Sequence, residues 1–353
     1  MEQTLIIGAG ISGLTAAYRL HLAGKPFEVL EADDRPGGRV RSLPAQQGSG
    51  YLEIGPTWFG DKHQRLMELI RELDLPYFTQ YETGKGIYQV MSFVAPHVFE
   101  IPQGQEPYYR FAGGTRSLIQ ALLDQIPTDS VTFQQQVTAI SLTEKGIKVR
   151  TKQGVIFEGA ALILTVPLPL IVQDIKFDPA LSPTLLQRFR STQTWMSDSI
   201  KFAVEYQSPF WRQAGFAGLL MSQNGPVKEM HDHCDEAGST FALMGFLHPS
   251  AVTLPPVERE KQVLQQIAQH FGQEALLPLA YHDTLWAQQH LTSETGVQPM
   301  TMKPPYGHPD LRQPYWNGRL HFAAAETDHL FGGYMDGAVG AAERVIQSMM
   351  NAK

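Results

Sequence analysis

The fold is decided by residues 4–13, TLIIGAGISG, and by the stretch that follows them. Four apolar residues of strand length lead into a G-x-G-x-x-G turn, and an amphipathic segment then continues to Gly24. The sequence FEVL at 27–30 reads as a second strand. This order of strand, glycine turn, helix and strand is the context in which the glycine pattern predicts a dinucleotide-binding βαβ unit.

The glycine turn supplies the chemistry that a pyrophosphate needs. Gly8, Gly10 and Gly13 let backbone N–H groups approach the phosphates, and the helix start at Ile11 and Ser12 adds favourable partial charge. Glu31 ends the second strand, where a carboxylate can accept hydrogen bonds from both hydroxyls of an adenosine ribose. A dinucleotide is therefore the predicted ligand.

A second glycine-rich turn lies in residues 31–40, EADDRPGGRV. Gly37 and Gly38 remove side chains where backbone must meet a cofactor, and Arg39 offers a fork of donors to anionic oxygen. The segment resembles the extended fingerprint of the FAD-containing amine oxidase superfamily, which includes monoamine oxidase. The resemblance implies FAD as the cofactor. It also implies that Ala32 and Val40 lie beside it.

The other end of the chain resembles the same family. GRLHFAAAET at 318–327 reads as a strand with a polar end, and FGGYMDGAV at 331–339 opens a helix. The resemblance implies that Glu326 binds the ribityl–pyrophosphate region of FAD. It further implies a cap on the flavin made by Gly333, Tyr334, Met335 and Ala338.

Two internal segments add weaker matches. Residues 55–58, Gly55, Pro56, Thr57 and Trp58, resemble the family segment beside the isoalloxazine ring, with Pro56 where the family has glycine. A buried loop with Trp58 in the core is the alternative. Val137 resembles a valine whose backbone contacts the adenine side of FAD, although an ordinary strand residue would look the same.

Lys201 is the first catalytic candidate. It lies in a strand whose Ile200, Phe202, Val204 and Tyr206 share one face, so the lysine points to the other. An exposed strand lysine is the alternative. The segment 199–212 resembles the monoamine oxidase strand that ends in Pro-Phe-Trp, in which the matching lysine holds a water near flavin N5.

Tyr334 is the second catalytic candidate, because it matches one wall of the aromatic cage that flanks the amine in monoamine oxidases. The second wall is expected near Pro299 and Met300, where the sequence has no aromatic residue and no cysteine to tether a flavin. The FAD is therefore expected to be non-covalent. The incomplete cage leaves an apolar substrate of a carbon–carbon desaturase, or a flavin-holding protein without turnover, as alternatives to an amine oxidase.

The composition restricts the remaining function classes. A formal net charge of −7 without a basic tract argues against nucleic-acid binding. The cluster HDHCDE at 231–236 lacks the second half of a metal-ligand set, so we predict no metal and a solvated loop. Cys234 is the only cysteine, which fits a reducing compartment. The longest apolar run, 160–172, is too short to span a bilayer. We expect a cytoplasmic protein without a membrane anchor.

Taken together, these patterns predict an α/β fold: a discontinuous Rossmann-like FAD-binding domain and a smaller α+β substrate domain. The expected boundaries are 1–73, 111–190 and 292–353 for the FAD domain, and 74–110 with 191–291 for the substrate domain. At 353 residues the chain is long enough for both cores. The implied function is oxidation of an amine by hydride transfer to flavin N5. A small-molecule substrate, O2 as acceptor and a homodimer are the expected partners.

Overall fold

The computed structural model describes residues 2–102, 104–194, 197–292 and 306–351. In chain order its strands are β1 (Thr4–Ile7), β2 (Phe27–Leu30), β3 (Ser42–Pro44), β4 (Tyr51–Glu53), β5 (Tyr77–Thr79), β6 (Lys85–Gln89), β7 (His97–Glu100), β8 (Tyr109–Phe111), β9 (Val131–Thr132), β10 (Val137–Thr143), β11 (Gly146–Thr151), β12 (Ile156–Gly159), β13 (Ala161–Leu164), β14 (Lys176–Asp178), β15 (Ile200–Tyr206), β16 (Phe216–Ser222), β17 (Val227–Asp232), β18 (Phe241–Leu247), β19 (Ala280–Leu285) and β20 (Leu320–Phe322). Its α-helices are α1 (Ile11–Leu22), α2 (Gln64–Glu72), α3 (Arg116–Asp124), α4 (Leu168–Asp174), α5 (Pro183–Ser191), α6 (Phe210–Gln213), α7 (Pro256–Phe271) and α8 (Met335–Asn351).

A parallel five-stranded sheet, ordered β20-β13-β1-β2-β9, forms one half of the molecule. Its central strand β1 is apolar at three of its four positions because both faces of the sheet are covered. Ile6 packs into the core beneath α1 and α8, whereas Leu5 and Ile7 pack into a second core on the opposite face. The predicted βαβ unit is confirmed at this position.

The glycine turn between β1 and α1 depends on a close approach of backbone to backbone. A Cβ on Gly13 would lie 1.9 Å from the carbonyl oxygen of Gly8, and Gly8 itself has a φ of +106°. Any side chain at Gly13 would therefore push α1 away from the turn. This contact places the start of α1 at the carboxyl end of β1, where ligands bind in open parallel sheets.

The second large sheet is mixed and seven-stranded, in the order β19-β15-β18-β17-β16-β6-β7. Phe202 and Val204 of β15 pack with Val263 and Ile267 of α7 in its core, as the alternating pattern predicts. The other face of β15 meets the chain around β4 through Ala203. A four-stranded sheet, β12-β11-β10-β14, lies beside the parallel sheet.

The two large sheets draw on different parts of the chain. The strands of the parallel sheet come from residues 4–30, 131–132, 161–164 and 320–322, and those of the mixed sheet from residues 85–100 and 200–285. The chain therefore passes from one half to the other several times. Within the described residues, no helix combines the length and the apolar character needed to cross a membrane.

Candidate active site

A cavity of about 750 Å³ is lined by residues from both large sheets. Its volume is in the range of small-molecule and cofactor sites. The residues proposed from sequence converge on it. The cavity is lined by Gly8, Gly10, Ile11, Ser12, Glu31, Ala32, Gly37, Gly38, Arg39, Val40, Gly55, Pro56, Thr57, Trp58, Val137, Lys201, Gly333, Tyr334, Met335 and Ala338.

Gly13 and Glu326 do not line the cavity, although both were expected at the cofactor. Gly13 lies behind Gly8 and keeps helix and turn together. Glu326 is fully buried and faces Arg39, whose Nη1 is 2.6 Å from its Oε1 and whose Nη2 is 3.3 Å from its Oε2. Gly13 therefore shapes the cavity through its contact with Gly8, and Glu326 does so through its ion pair with Arg39.

Glu31 and Val137 both line the cavity. Its Oε2 accepts a hydrogen bond of 2.6 Å from the Ala9 N–H, and its Oε1 accepts one of 2.9 Å from the Asp33 N–H. Burial raises the pKa of Glu31, and these backbone donors partly offset the rise. The carboxylate is held in one orientation beside the glycine turn.

The two glycine turns meet and form a cradle without side chains. A Cβ on Gly38 would lie 3.9 Å from Cα of Gly10, and a Cβ on Gly10 would lie 3.9 Å from the carbonyl oxygen of Gly37. The first turn of α1 carries no acidic residue and no side-chain cap, so its N–H groups stay available to a ligand. A cradle of this kind, with Arg39 beside it and Glu31 beyond it, fits a dinucleotide such as FAD.

Lys201 lines the cavity from β15 of the mixed sheet, whereas Glu31 lines it from the end of β2 in the parallel sheet. Its ammonium is buried and donates hydrogen bonds to the Gly55 carbonyl and the Thr57 hydroxyl. Burial lowers the pKa of Lys201 to about 7, with Glu53 acting in the opposite direction. The Nζ atom lies 5.6 Å from the ring centre of Trp58 and 5.5 Å from that of Phe246.

Tyr334 also lines the cavity and is half exposed. Its ring is 5.8 Å from that of His63, which is buried and accepts a 3.0 Å hydrogen bond at Nδ1 from the Gly60 N–H. Burial lowers the pKa of His63 to about 4, so this imidazole is neutral. Pro299 and Met300, where the second cage wall was expected, lie outside the described residues.

A polar pair on β17 has no counterpart among the site residues predicted from the sequence. Glu229 and His231 are two positions apart, so they share the strand face that lines the cavity, and their side chains are joined by 2.8 Å between Oε1 and Nε2. The prediction of a solvated loop at 231–236 is wrong. Asp232 and Cys234 are buried, and Asp232 accepts hydrogen bonds from Trp211 and Arg212. The apolar residues of VKEMHD, Val227 and Met230, are three positions apart, so the segment does not alternate and gave no strand signal.

Comparison with known proteins identifies the family. The family described as flavin containing amine oxidoreductase matches residues 11–92 and 81–350. Among curated proteins, a probable flavin-containing monoamine oxidase A of Dictyostelium discoideum is 24% identical, over 98% of this chain and 96% of that protein. A putative flavin-containing monoamine oxidase of Mycobacterium tuberculosis is 26% identical, over 96% of this chain and 94% of that protein.

Solved structures show the same fold. A putrescine oxidase bound to putrescine superposes with a TM-score of 0.86 at 21% identity, with 99% of both chains covered. The cyclohexylamine oxidase of Brevibacterium oxydans gives a TM-score of 0.85 at 21% identity, again over 99% of both chains. The family match covers nearly the whole chain and agrees with the glycine cradle, the position of Glu31 and the buried lysine. The chain therefore belongs to the family of flavin-containing amine oxidoreductases, which use FAD.

Proposed function

We propose that the chain oxidises an amine at the Lys201 end of the cavity, with O2 as the electron acceptor. The observation that carries the proposal is the placement of Lys201. A buried ammonium is tied to Gly55 and Thr57 and lies near the rings of Trp58 and Phe246, in the cavity that Glu31 and the glycine cradle also line.

The chain's own residues would hold FAD along the cavity. Glu31 would accept the ribose hydroxyls, and the backbone of Val137 would meet the adenine. Gly8, Gly10 and Gly38, with the first N–H groups of α1, would surround the pyrophosphate. Arg39 would reach the same region, held in place by Glu326. No cysteine lies at a tethering position, so the cofactor is non-covalent.

Bound FAD supplies the acceptor for a hydride from the carbon next to the amine nitrogen. The protein contributes orientation and a site sheltered from water. Trp58, Phe246 and Tyr334 provide aromatic surface against which an amine can be placed. Lys201 holds a positive charge beside this surface while protonated, which would favour electron-rich states at that end of the cavity and the subsequent reaction with oxygen.

The proposal extends to the organisation and setting of the enzyme. We assign residues 1–73, 111–190 and 292–353 to the FAD domain and the remainder to the substrate domain, in line with the division of strands between the two large sheets. The single, buried cysteine supports a cytoplasmic location. The exposed tip of the β6–β7 hairpin, where Phe93 is 83% exposed, supports contact with a second copy.

The test is anaerobic bleaching of the yellow protein by a panel of amines, amino acids and polyenes. Loss of flavin absorbance with amines, followed by recovery and peroxide formation on admission of air, is the expected result. Bleaching by polyenes alone would instead indicate a carbon–carbon desaturase. A flavin that no member of the panel reduces would indicate a binding protein and would overturn the proposal.

A further inference from the structure

A primary amine in neutral water is an ammonium ion, and its nitrogen must regain a lone pair before the neighbouring carbon can release a hydride. The proposed function therefore needs a place for one proton. The proposed function uses Lys201 as a positive charge in the reaction with oxygen, and its Nζ is held by the Gly55 carbonyl and the Thr57 hydroxyl. His231 and Glu229 line the same cavity and have no part in the function described so far.

The geometry of this pair defines the protonation of the imidazole. The hydrogen bond from His231 is the main cause that lowers the pKa of Glu229, so the side chain is a carboxylate and can only accept. The hydrogen between Oε1 and Nε2, 2.8 Å apart, therefore belongs to Nε2. In the neutral ring the lone pair is then on Nδ1, and within the described residues this atom has no hydrogen-bond partner and is not enclosed.

The imidazole lies close to the reacting end of the cavity. Its ring centre is 4.9 Å from that of Trp58, the same indole whose ring centre is 5.6 Å from Nζ of Lys201. The side chain of His231 is 22% exposed, so a proton on the ring has a route to solvent. Histidine is the side chain best suited to exchange protons near neutral pH.

One carboxylate contacts the imidazole directly. The neighbouring strands offer no charge, since His231 pairs with Met244 on β18 and Glu229 pairs with Met221 on β16. The titratable side chains that line the cavity together with His231 are Glu31, Asp33, Arg39, Lys62, His63, Glu82, Tyr108, Asp174, Lys201, Glu229 and Tyr334. Of these, Glu229 is hydrogen-bonded directly to the ring, so its carboxylate would be the counter-charge of a proton accepted at Nδ1.

We propose that His231, oriented by Glu229, accepts the proton that a cationic amine must lose before it is oxidised. The N–H bond of the ammonium breaks, its electron pair stays on the substrate nitrogen, and the proton bonds to Nδ1. Glu229 balances the new charge through Nε2, and the proton passes to water before the next turnover. His231 is thus a catalytic residue and Glu229 a positioning residue. This inference rests on the proposed function.

The test compares a straight-chain primary amine that bleaches the flavin with its β,β-difluoro analogue, which is far less basic and is largely neutral at about pH 8.5, where the parent amine is still a cation. His231→Gln is expected to slow anaerobic bleaching by the parent amine about 100-fold, a typical contribution of general base catalysis. The rate with the difluoro analogue should change less than about threefold, because that amine brings no proton to remove. Glu229→Gln should show the same preference with a smaller loss. His97→Gln, an exposed histidine in the same sheet, is the matched control and should change neither rate.

A second measurement varies the pH. In H231Q only amine that is already neutral in solution can react, so bleaching by the parent amine, measured well below saturation, should speed up about tenfold per pH unit between about pH 7 and 9. The wild-type rate should rise less than about threefold over the same range, because His231 accepts the proton in the site. The same pH dependence in both proteins, or equal losses of rate for both amines, would overturn the role of His231 and leave the amine oxidase function standing. Failure of every amine to bleach the flavin would remove both.

Discussion

Glu326→Gln tests whether the two ends of the chain are joined at the cofactor site. Glu326 comes from the C-terminal segment and is fully buried, and Arg39 comes from the second glycine turn and is 21% exposed. Removing one partner of a buried ion pair costs about 3–5 kcal/mol. The glutamine keeps one oxygen as an acceptor and Arg39 keeps some contact with water, so we expect a loss of about 2 kcal/mol.

In a chain of this size, about 2 kcal/mol corresponds to a fall in Tm of roughly 3 °C. The assay is thermal unfolding of the purified holoenzyme, followed by circular dichroism. Glu343→Gln is the matched control, because it removes a partner of Arg19 at the surface, where an ion pair contributes about 0–1 kcal/mol. If E326Q and E343Q lower Tm equally, by 1 °C or less, the Arg39–Glu326 pair does not hold the two segments together.

Three further predictions concern the lysine, the glycine turn and the cysteine. Lys201→Met should slow the reaction of reduced enzyme with O2 at least tenfold in stopped-flow measurements. Because burial lowers the pKa of Lys201 to about 7, the wild-type rate should fall as pH rises through 7. A K201M variant whose rate has the same pH profile would contradict the role of the lysine. Gly13→Ala places a methyl group 1.9 Å from the Gly8 carbonyl oxygen and should yield colourless protein, whereas Gly24→Ala, at φ +63° in open space, should cost about 1–2 kcal/mol and stay yellow by absorbance. Burial raises the pKa of the Cys234 thiol to about 12, so Ellman's reagent should detect no thiol in the native enzyme and one in the unfolded chain. Rapid labelling of the native enzyme would be inconsistent with the buried position of Cys234.

Local chemistry made the first forty residues predictable. The strand at 4–7, the helix ending before Gly24 and the strand at 27–30 are found at the expected positions, because glycine and apolar periodicity act within a few residues. The two faces of β15 were predictable for a similar reason, because successive side chains of a strand point to opposite faces regardless of what packs against them.

The residues around 231–236 could not be predicted, because their partners are distant in the sequence. The buried carboxylate of Asp232 accepts hydrogen bonds from Trp211 and Arg212, and these donors come within reach only when β16 and β17 are paired. The same limit applies to Glu326, whose position behind Arg39 depends on a contact between residues 287 positions apart. The polar composition of residues 231–236 predicted exposure to solvent, but hydrogen bonds to distant residues allow Asp232 to be buried.

The split origin of the parallel sheet has a consequence for biosynthesis. Its edge strand β20 is made of residues 320–322, and α8, which packs against α1, is later still. A nascent chain on the ribosome therefore carries the first glycine turn long before it can build the wall behind it. Loading of the flavin is expected to wait until residues 320–351 have been made, and a chain that stops before residue 320 should not retain it.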